Sequence, residues 1–438
     1  MGRGWVLSRI GERRQLRLLP LFFLAALSLS ACNEPPKQTR GSLQTQASDQ
    51  IENFLDRYWN RPLAAHGKPP AHFSTLEASL EPASCGNCHV AQFNDWRRSL
   101  HSRAMGPGIL GQLMNMAPDA KAEHQDCIRC HAPLKEQADS LVASLTAGAK
   151  TSGANSAKEA PRPLHEHGLV CSACHVRGHQ RYGPPRRDGK SPEPSAPLPH
   201  NGWVSSAAFE DSRFCSACHQ FEKDEYALNG KLLENTYEEW KASRYAREGK
   251  TCQYCHMPER RHLWRGIHDP VMVKSGVTIG VTAVNLDSGI LSAVLAIKNT
   301  GTGHYFPTYV TPKVVAEIYQ ENSKREMLRE TLRQHVIGRQ VPLDLSREIA
   351  DTRIAPDEQA LFDYRAPLHR NAVSLVFRVQ VEPDAFYTDF YRDLLNGNQA
   401  GSGERLIKQA LKDSMASAFT LYFHRESLPA SAHRPSFL

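Results

Sequence analysis

Residues 85–101 read Cys85-Gly-Asn-Cys88-His89-Val-Ala-Gln-Phe-Asn-Asp-Trp96-Arg-Arg-Ser99-Leu-His101. The opening pattern, two cysteines three apart followed at once by histidine, returns as Cys127/Cys130/His131, Cys171/Cys174/His175, Cys215/Cys218/His219 and Cys252/Cys255/His256. Cys-x-x-Cys-His is the attachment signature of a c-type haem: both thiols form thioethers with the porphyrin, and the histidine coordinates iron from the same side. Five repeats predict five covalently bound haems c. They account for ten of the eleven cysteines, and only Cys32 stands alone.

Paired cysteines also serve zinc and dithiol chemistry. A structural zinc site needs four ligands closing a tetrahedron, and a redox dithiol has no need of a histidine after every pair. The strict histidine favours haem. The motifs start 42, 44, 44 and 37 residues apart without any repeat of the intervening sequence, so no solenoid is predicted.

Haem attachment of this kind takes place outside the cytoplasm, and the amino terminus supplies an export signal. Arg3, Arg9, Arg13, Arg14 and Arg17 precede an apolar run from Leu18 to Ala31, the layout of a signal peptide over residues 1–31. The run ends in Leu29-Ser30-Ala31-Cys32, which resembles a lipobox, so Cys32 is the expected lipidation site and membrane anchor. Several acyl chains hold a protein at a membrane lastingly where one does not. Asn33 after it points to the outer membrane, at its periplasmic face or the cell surface. The formal charge of +7 loses five arginines and one glutamate with residues 1–31. Ten haem propionates then bring the holoprotein to about −7, so nucleic acid is not an expected partner.

The predicted class is α+β and multidomain. A polar tether covers 32–50, and a mainly α, loop-rich multihaem domain spans 51–271. Alternating apolar residues (Val277, Ile279, Val281; Leu291, Ala293, Leu295, Ile297; Val373, Leu375, Phe377, Val379, Val381) predict an all-β, Ig-like sandwich over 272–385, beginning with a hairpin around 285–289. Helices are expected over 386–438, with Ile407, Ala410, Leu411 and Met415 as an apolar stripe. Two loops, Ala147–Ala160 and Tyr182–Pro199, are expected to be exposed.

Fifteen histidines lie outside the motifs, and the residue opposite each proximal histidine decides between electron transfer and ligand chemistry. If one helix runs from Cys88 through Trp96, His89 and His101 are about 18 Å apart along it, so His101 is expected to serve a neighbouring haem. The same reasoning assigns His179, four residues beyond His175 on one helical face, to another iron. His262 and His268 after the last motif, and His124 before the second, complete the candidates, with His165 and His167 before the third motif as further possibilities.

The stretch from Cys85 to His89, followed by Trp96-Arg-Arg-Ser99-Leu-His101-Ser-Arg-Ala104-Met105, resembles the opening of the cytochrome c-554 family. The segment Cys252-Gln-Tyr-Cys255-His256-Met257-Pro258 with His262 and His268 is similar to the last haem segment of larger multihaem cytochromes. The resemblance implies a distal ligand at His101 and closely packed haem pairs. The chain departs from the family in having five motifs and a long β-rich tail. Within that tail Asn299-Thr-Gly301-Thr-Gly303-His304-Tyr-Phe-Pro307-Thr308 resembles a loop of multihaem cytochromes with such a domain, implying that His304 reaches a haem.

Two functions follow. In the first, mostly bis-histidine haems relay electrons between redox protein partners outside the cytoplasm, and the chain is not an enzyme. In the second, one iron keeps an open distal face and acts on a small inorganic nitrogen or sulfur compound.

Overall fold

The computed structural model describes residues 40–117, 119–146, 162–190 and 198–428. The signal peptide, the lipidation site Cys32 and the loop Ala147–Ala160 lie outside them. Residues Ser48–Leu438 form one compact unit. Among the described residues no helix is long and apolar enough to cross a membrane.

Four motifs form the last turn of a helix: Lys121–His131, Cys171–His175, Arg213–His219 and Cys252–His256. The first lies at the end of helix Pro82–Gly86, where the Cys88 and His89 amides still donate to the Cys85 carbonyl. A helical turn sets i, i+3 and i+4 on one face, so both thiols and the imidazole of a motif share one side. The last turn is capped by Thr251, whose hydroxyl accepts from the Tyr254 amide.

Several expectations about helices need correction. The helix expected from Cys88 to His101 is broken: Val90–Trp96 is helical, and a separate short turn covers His101–Arg103. Ser99 turns its hydroxyl back to the Trp96 carbonyl, and Trp96 Nε1 donates to the Leu169 carbonyl, ending the run. A helix Arg40–Tyr58 occupies part of the expected tether, propagated from the turn that buries Leu55 and Tyr58. Beyond His175 the chain leaves the helix for strand Val176–Arg177, which pairs with Gln180–Gly183 around Gly178-His179. His175 and His179 therefore do not share a helical face.

The carboxy-terminal half is built on two antiparallel sheets. One holds β1 (Val277–Val281), β2 (Asn285–Asp287), β3 (Ile290–Asn299) and β6 (Gln359–Pro367), in the order β6-β3-β1 with β2 also on β3. The other holds β4 (Lys313–Asn322), β5 (Arg333–Ile337), β7 (Ala372–Glu382) and β8 (Phe419–Ser427), ordered β5-β4-β7-β8. The predicted hairpin is there: Asp287 pairs with Ile290 across Ser288-Gly289, both at positive φ, as a two-residue turn requires. Leu291, Leu295 and Ile297 of β3 meet Val314, Ile318, Phe377 and Val379 of the facing sheet in a common core.

The segment 386–438 is not wholly helical. Helices Ala385–Asn396 and Glu404–Ala416 form a hairpin between β7 and β8, and β8 then completes the second sheet. Met415 is exposed, while Ile407, Ala410 and Ser414 are buried. At about 100° per residue, Ser414 falls within about 20° of Ile407 and Met415 about 80° away. Apolar clusters in the motif-bearing half are much smaller than the β core, as expected where porphyrin faces supply the apolar area.

Candidate haem centres

Three motif histidines face a histidine from elsewhere in the chain. His175 lies 6.1 Å from His262, His219 lies 6.3 Å from His101, and His256 lies 6.4 Å from His304, measured between ring centres. Two imidazoles on opposite sides of one iron, each bonded at about 2 Å, have ring centres about 6 Å apart. His200 is in the neighbourhood of His89, whose imidazole is held below its ordinary range chiefly by burial and also by the charge of His200.

The second nitrogen is committed to a backbone carbonyl in six of the rings, while that of His101 is buried without a partner. Nδ1 faces the carbonyl of Ala104 in His131, Tyr182 in His175, Arg265 in His256, Arg260 in His262, Tyr305 in His304 and Gly202 in His200, at 2.7–3.0 Å. A carbonyl only accepts, so each Nδ1 carries the proton and each Nε2 keeps the lone pair a metal needs. Burial also keeps the rings neutral, pushing His101 down to about 3 and His219 and His262 to about 4.

Each distal candidate is held by its own scaffold. The His262 amide donates to Asp95, which also takes a two-pronged ion pair from Arg261 at 2.6 and 2.7 Å. Trp264 stands edge-on to both His101 and His262, with ring centres 4.7 and 4.9 Å away, and buttresses the pair. His304 sits in the β3–β4 loop. Asn299 Nδ2 donates to the His304 carbonyl, the Tyr305 amide donates to Glu239, and buried Arg353 pairs with Glu239 at 2.9 Å. A Cβ on Gly301 would stand 2.3 Å from the Ser275 carbonyl, so only glycine fits that approach.

Other candidates are not brought to a motif histidine. His179 gives Nε2 to the Gly67 carbonyl and packs against His66, whose nitrogens face Glu136 and the Val176 carbonyl. His268 turns Nε2 to Asp384 at 2.9 Å, leaving only its buried Nδ1 unpartnered. His124 is buried one turn before Cys127, its Nε2 without a partner, and enters no ring pair with another histidine among the described residues. His165 bonds the Ser140 hydroxyl and His167 pairs with Glu81. Sequence reasoning missed His200, which sits at φ 44° between Pro199 and Gly202 in the Pro-rich loop. Its only sequence signal was a histidine among turn residues.

The motifs are also close to one another. The thiols of Cys85 and Cys171, Cys130 and Cys218, and Cys215 and Cys252 lie within hydrogen-bonding reach. Arg61 bridges the middle pair, 3.0 Å from Cys218 Sγ and 3.6 Å from Cys130 Sγ. Among the described residues no group of three or more metal-binding side chains converges. Two imidazoles and two thiols close a zinc tetrahedron only where all four converge, whereas haem c takes the thiols at its rim and the imidazoles at its iron, which fits their separation here.

The model of the family described as cytochrome c554 and c-prime matches residues 84–176. Cytochrome c-554 of Nitrosomonas europaea is 26% identical over 144 residues, 31% of this chain and 54% of that protein. The chain thus spans about half the length of that relative. A penta-haem cytochrome c552 from Thermochromatium tepidum shares the fold, with a TM-score of 0.57 at 16% identity, over 81% of this chain and 100% of that one. Motif geometry, family match and fold likeness meet in one conclusion: the chain is a multihaem c-type cytochrome.

Proposed function

We propose that the chain carries five haems c and relays electrons between redox proteins outside the cytoplasm. The observation that carries this reading is the set of three histidine pairs at 6.1–6.4 Å, each joining a motif histidine to one far along the chain. A haem held by such a pair of histidines would supply a one-electron ferric/ferrous couple. The residues do the rest: they hold Nε2 toward the metal, wall the sites with aromatic rings, and bring motifs 1 and 3, 2 and 4, and 4 and 5 together. The expected lipid at Cys32 keeps this body at a membrane, and Cys32→Ser should move the protein to the soluble fraction. The strand orders β6-β3-β1 and β5-β4-β7-β8 support an Ig-like reading of the β domain.

A pyridine haemochrome assay with electron paramagnetic resonance of the oxidised protein tests the proposal. Five haems per chain with mainly low-spin iron is the expected result; fewer haems, or mostly high-spin iron, would sink it. One observation favours a second reading at the second motif. His131 enters no ring pair with another histidine among the described residues, and Tyr387 lies near Cys127, Asp384 and Glu234. That arrangement suits a centre open to a small nitrogen or sulfur compound. A high-spin signal that titrates with nitrite, hydroxylamine or tetrathionate and accompanies turnover would support it.

A further inference from the structure

Among the motif and partner histidines, His219 differs in what its Nδ1 meets. Where His131, His175 and His256 face backbone carbonyls, His219 Nδ1 lies 2.8 Å from the hydroxyl of Tyr309. With Nε2 turned toward a metal, Nδ1 must carry the proton, so the imidazole donates and the phenol oxygen accepts. The phenol hydrogen is then free to bond onward to Glu234.

Tyr309 comes from the other half of the unit, five residues after His304 in the β3–β4 loop. It is held at φ 65°, a left-handed backbone conformation costly for a tyrosine. Next to it, the Thr308 hydroxyl bonds that of Thr236 at 2.7 Å, tying the loop to the segment that carries Glu234. The two aromatic rings lie nearly parallel, 21° apart with centres 6.4 Å apart. One loop therefore carries the partner of His256 and touches the back of His219.

We propose that Tyr309 is a positioning residue for the fourth haem centre, setting its potential through the hydrogen bond to His219 while the same loop supplies His304 to the fifth. The inference rests on the reading of His219 as an iron ligand. A phenol oxygen is a weaker acceptor than an amide carbonyl, so it draws less electron density toward the imidazole and favours the ferric state less. The fourth centre is thereby held above the potential a carbonyl would give it. That centre lies between the second and fifth motifs, whose thiols adjoin Cys218 and Cys215.

The test is a spectroelectrochemical titration, followed by paramagnetic resonance, of the full-length haem-loaded protein, of Tyr309→Phe and of a chain with ring-fluorinated tyrosine at 309. Removing the acceptor should favour the ferrous state of one centre by about tenfold, about 59 mV upward for one electron. The fluorinated tyrosine keeps the volume and weakens the acceptor, so it should give a smaller shift in the same direction. If the fluorinated chain matches the parent while Tyr309→Phe shifts, the effect comes from packing and the inference fails. Unchanged potentials in both, or equal shifts at every centre, also overturn it. Haem content and spin state, read on the parent, judge the ligand assignment separately: five low-spin haems with no Tyr309 effect would refute only this inference.

Discussion

Replacing His304 with alanine should convert one haem centre in five from low to high spin and leave the others unchanged. The magnitude follows from the pair it forms with His256. Their ring centres are 6.4 Å apart and their planes differ by 13°. Taking off about 1.1 Å from each centre to its nitrogen leaves about 4 Å, room for one iron with two bonds of about 2 Å. Alanine cannot span that distance. The loop offers no substitute of its own, since the Tyr305 amide is held by Glu239 and Thr308 by Thr236. The Cys252 and Cys255 thioethers and His256 lie outside the loop, so the haem should stay attached. The assay is paramagnetic resonance of the oxidised variant, with integrated high-spin intensity compared against iron from a haemochrome determination. A high-spin fraction near one fifth with five haems retained is expected. An all-low-spin spectrum with full haem content would refute the pairing, and loss of the fifth haem would show that His304 acts in attachment.

Further outcomes follow from other side chains. His179→Asn should retain all haems and all low-spin signals, because His179 Nε2 is spent on the Gly67 carbonyl and asparagine tolerates the φ of 60° at that turn; a new high-spin signal would reinstate His179 as a ligand. Arg61→Met removes a cation lying 3.0–3.6 Å from thiols of the second and fourth motifs, and redox titration should show both centres falling by about 59 mV or more, a tenfold change. Burial raises the Glu234 carboxyl well above its ordinary value. The folded state therefore keeps a proton that the unfolded chain has released, and stability falls as pH rises above about 4.5, by up to about 1.4 kcal/mol per pH unit. Glu234→Gln should flatten that slope in denaturant melts at pH 5, 6 and 7; an unchanged slope would show that the carboxyl is not the source.

The attachment halves of the haem centres were legible in the sequence because they are local. Two thiols and an imidazole at i, i+3 and i+4 need only one helical turn. The opposite halves were not, because His101, His262 and His304 meet their partners from 48 to 118 residues away, where spacing carries no geometric information. His304 was reachable through its glycines, since Gly301 permits an approach that any side chain would block. The helix from Cys88 to His101 failed as an expectation because its termination depends on a segment distant in sequence: Trp96 donates to the Leu169 carbonyl, which no local pattern announces. The β strands read clearly from alternation where one face is buried, as in β3 and β7. Strand β8, half-covered on both faces at a sheet edge, carries no such alternation.

The placement of His304 between β3 and β4 has a consequence for biogenesis. Thioether formation needs only a motif and its haem, and the fifth motif ends at His256, well before the sandwich is complete. The sheet that anchors β4 is finished by β8, which begins 115 residues after His304. On the proposed ligation, a chain whose haems are attached before the sandwich closes is at a stage where its fifth centre still lacks its distal imidazole. Completion of the sandwich closes that stage, so the spin state of one iron serves as a record of whether the far end of the polypeptide has folded.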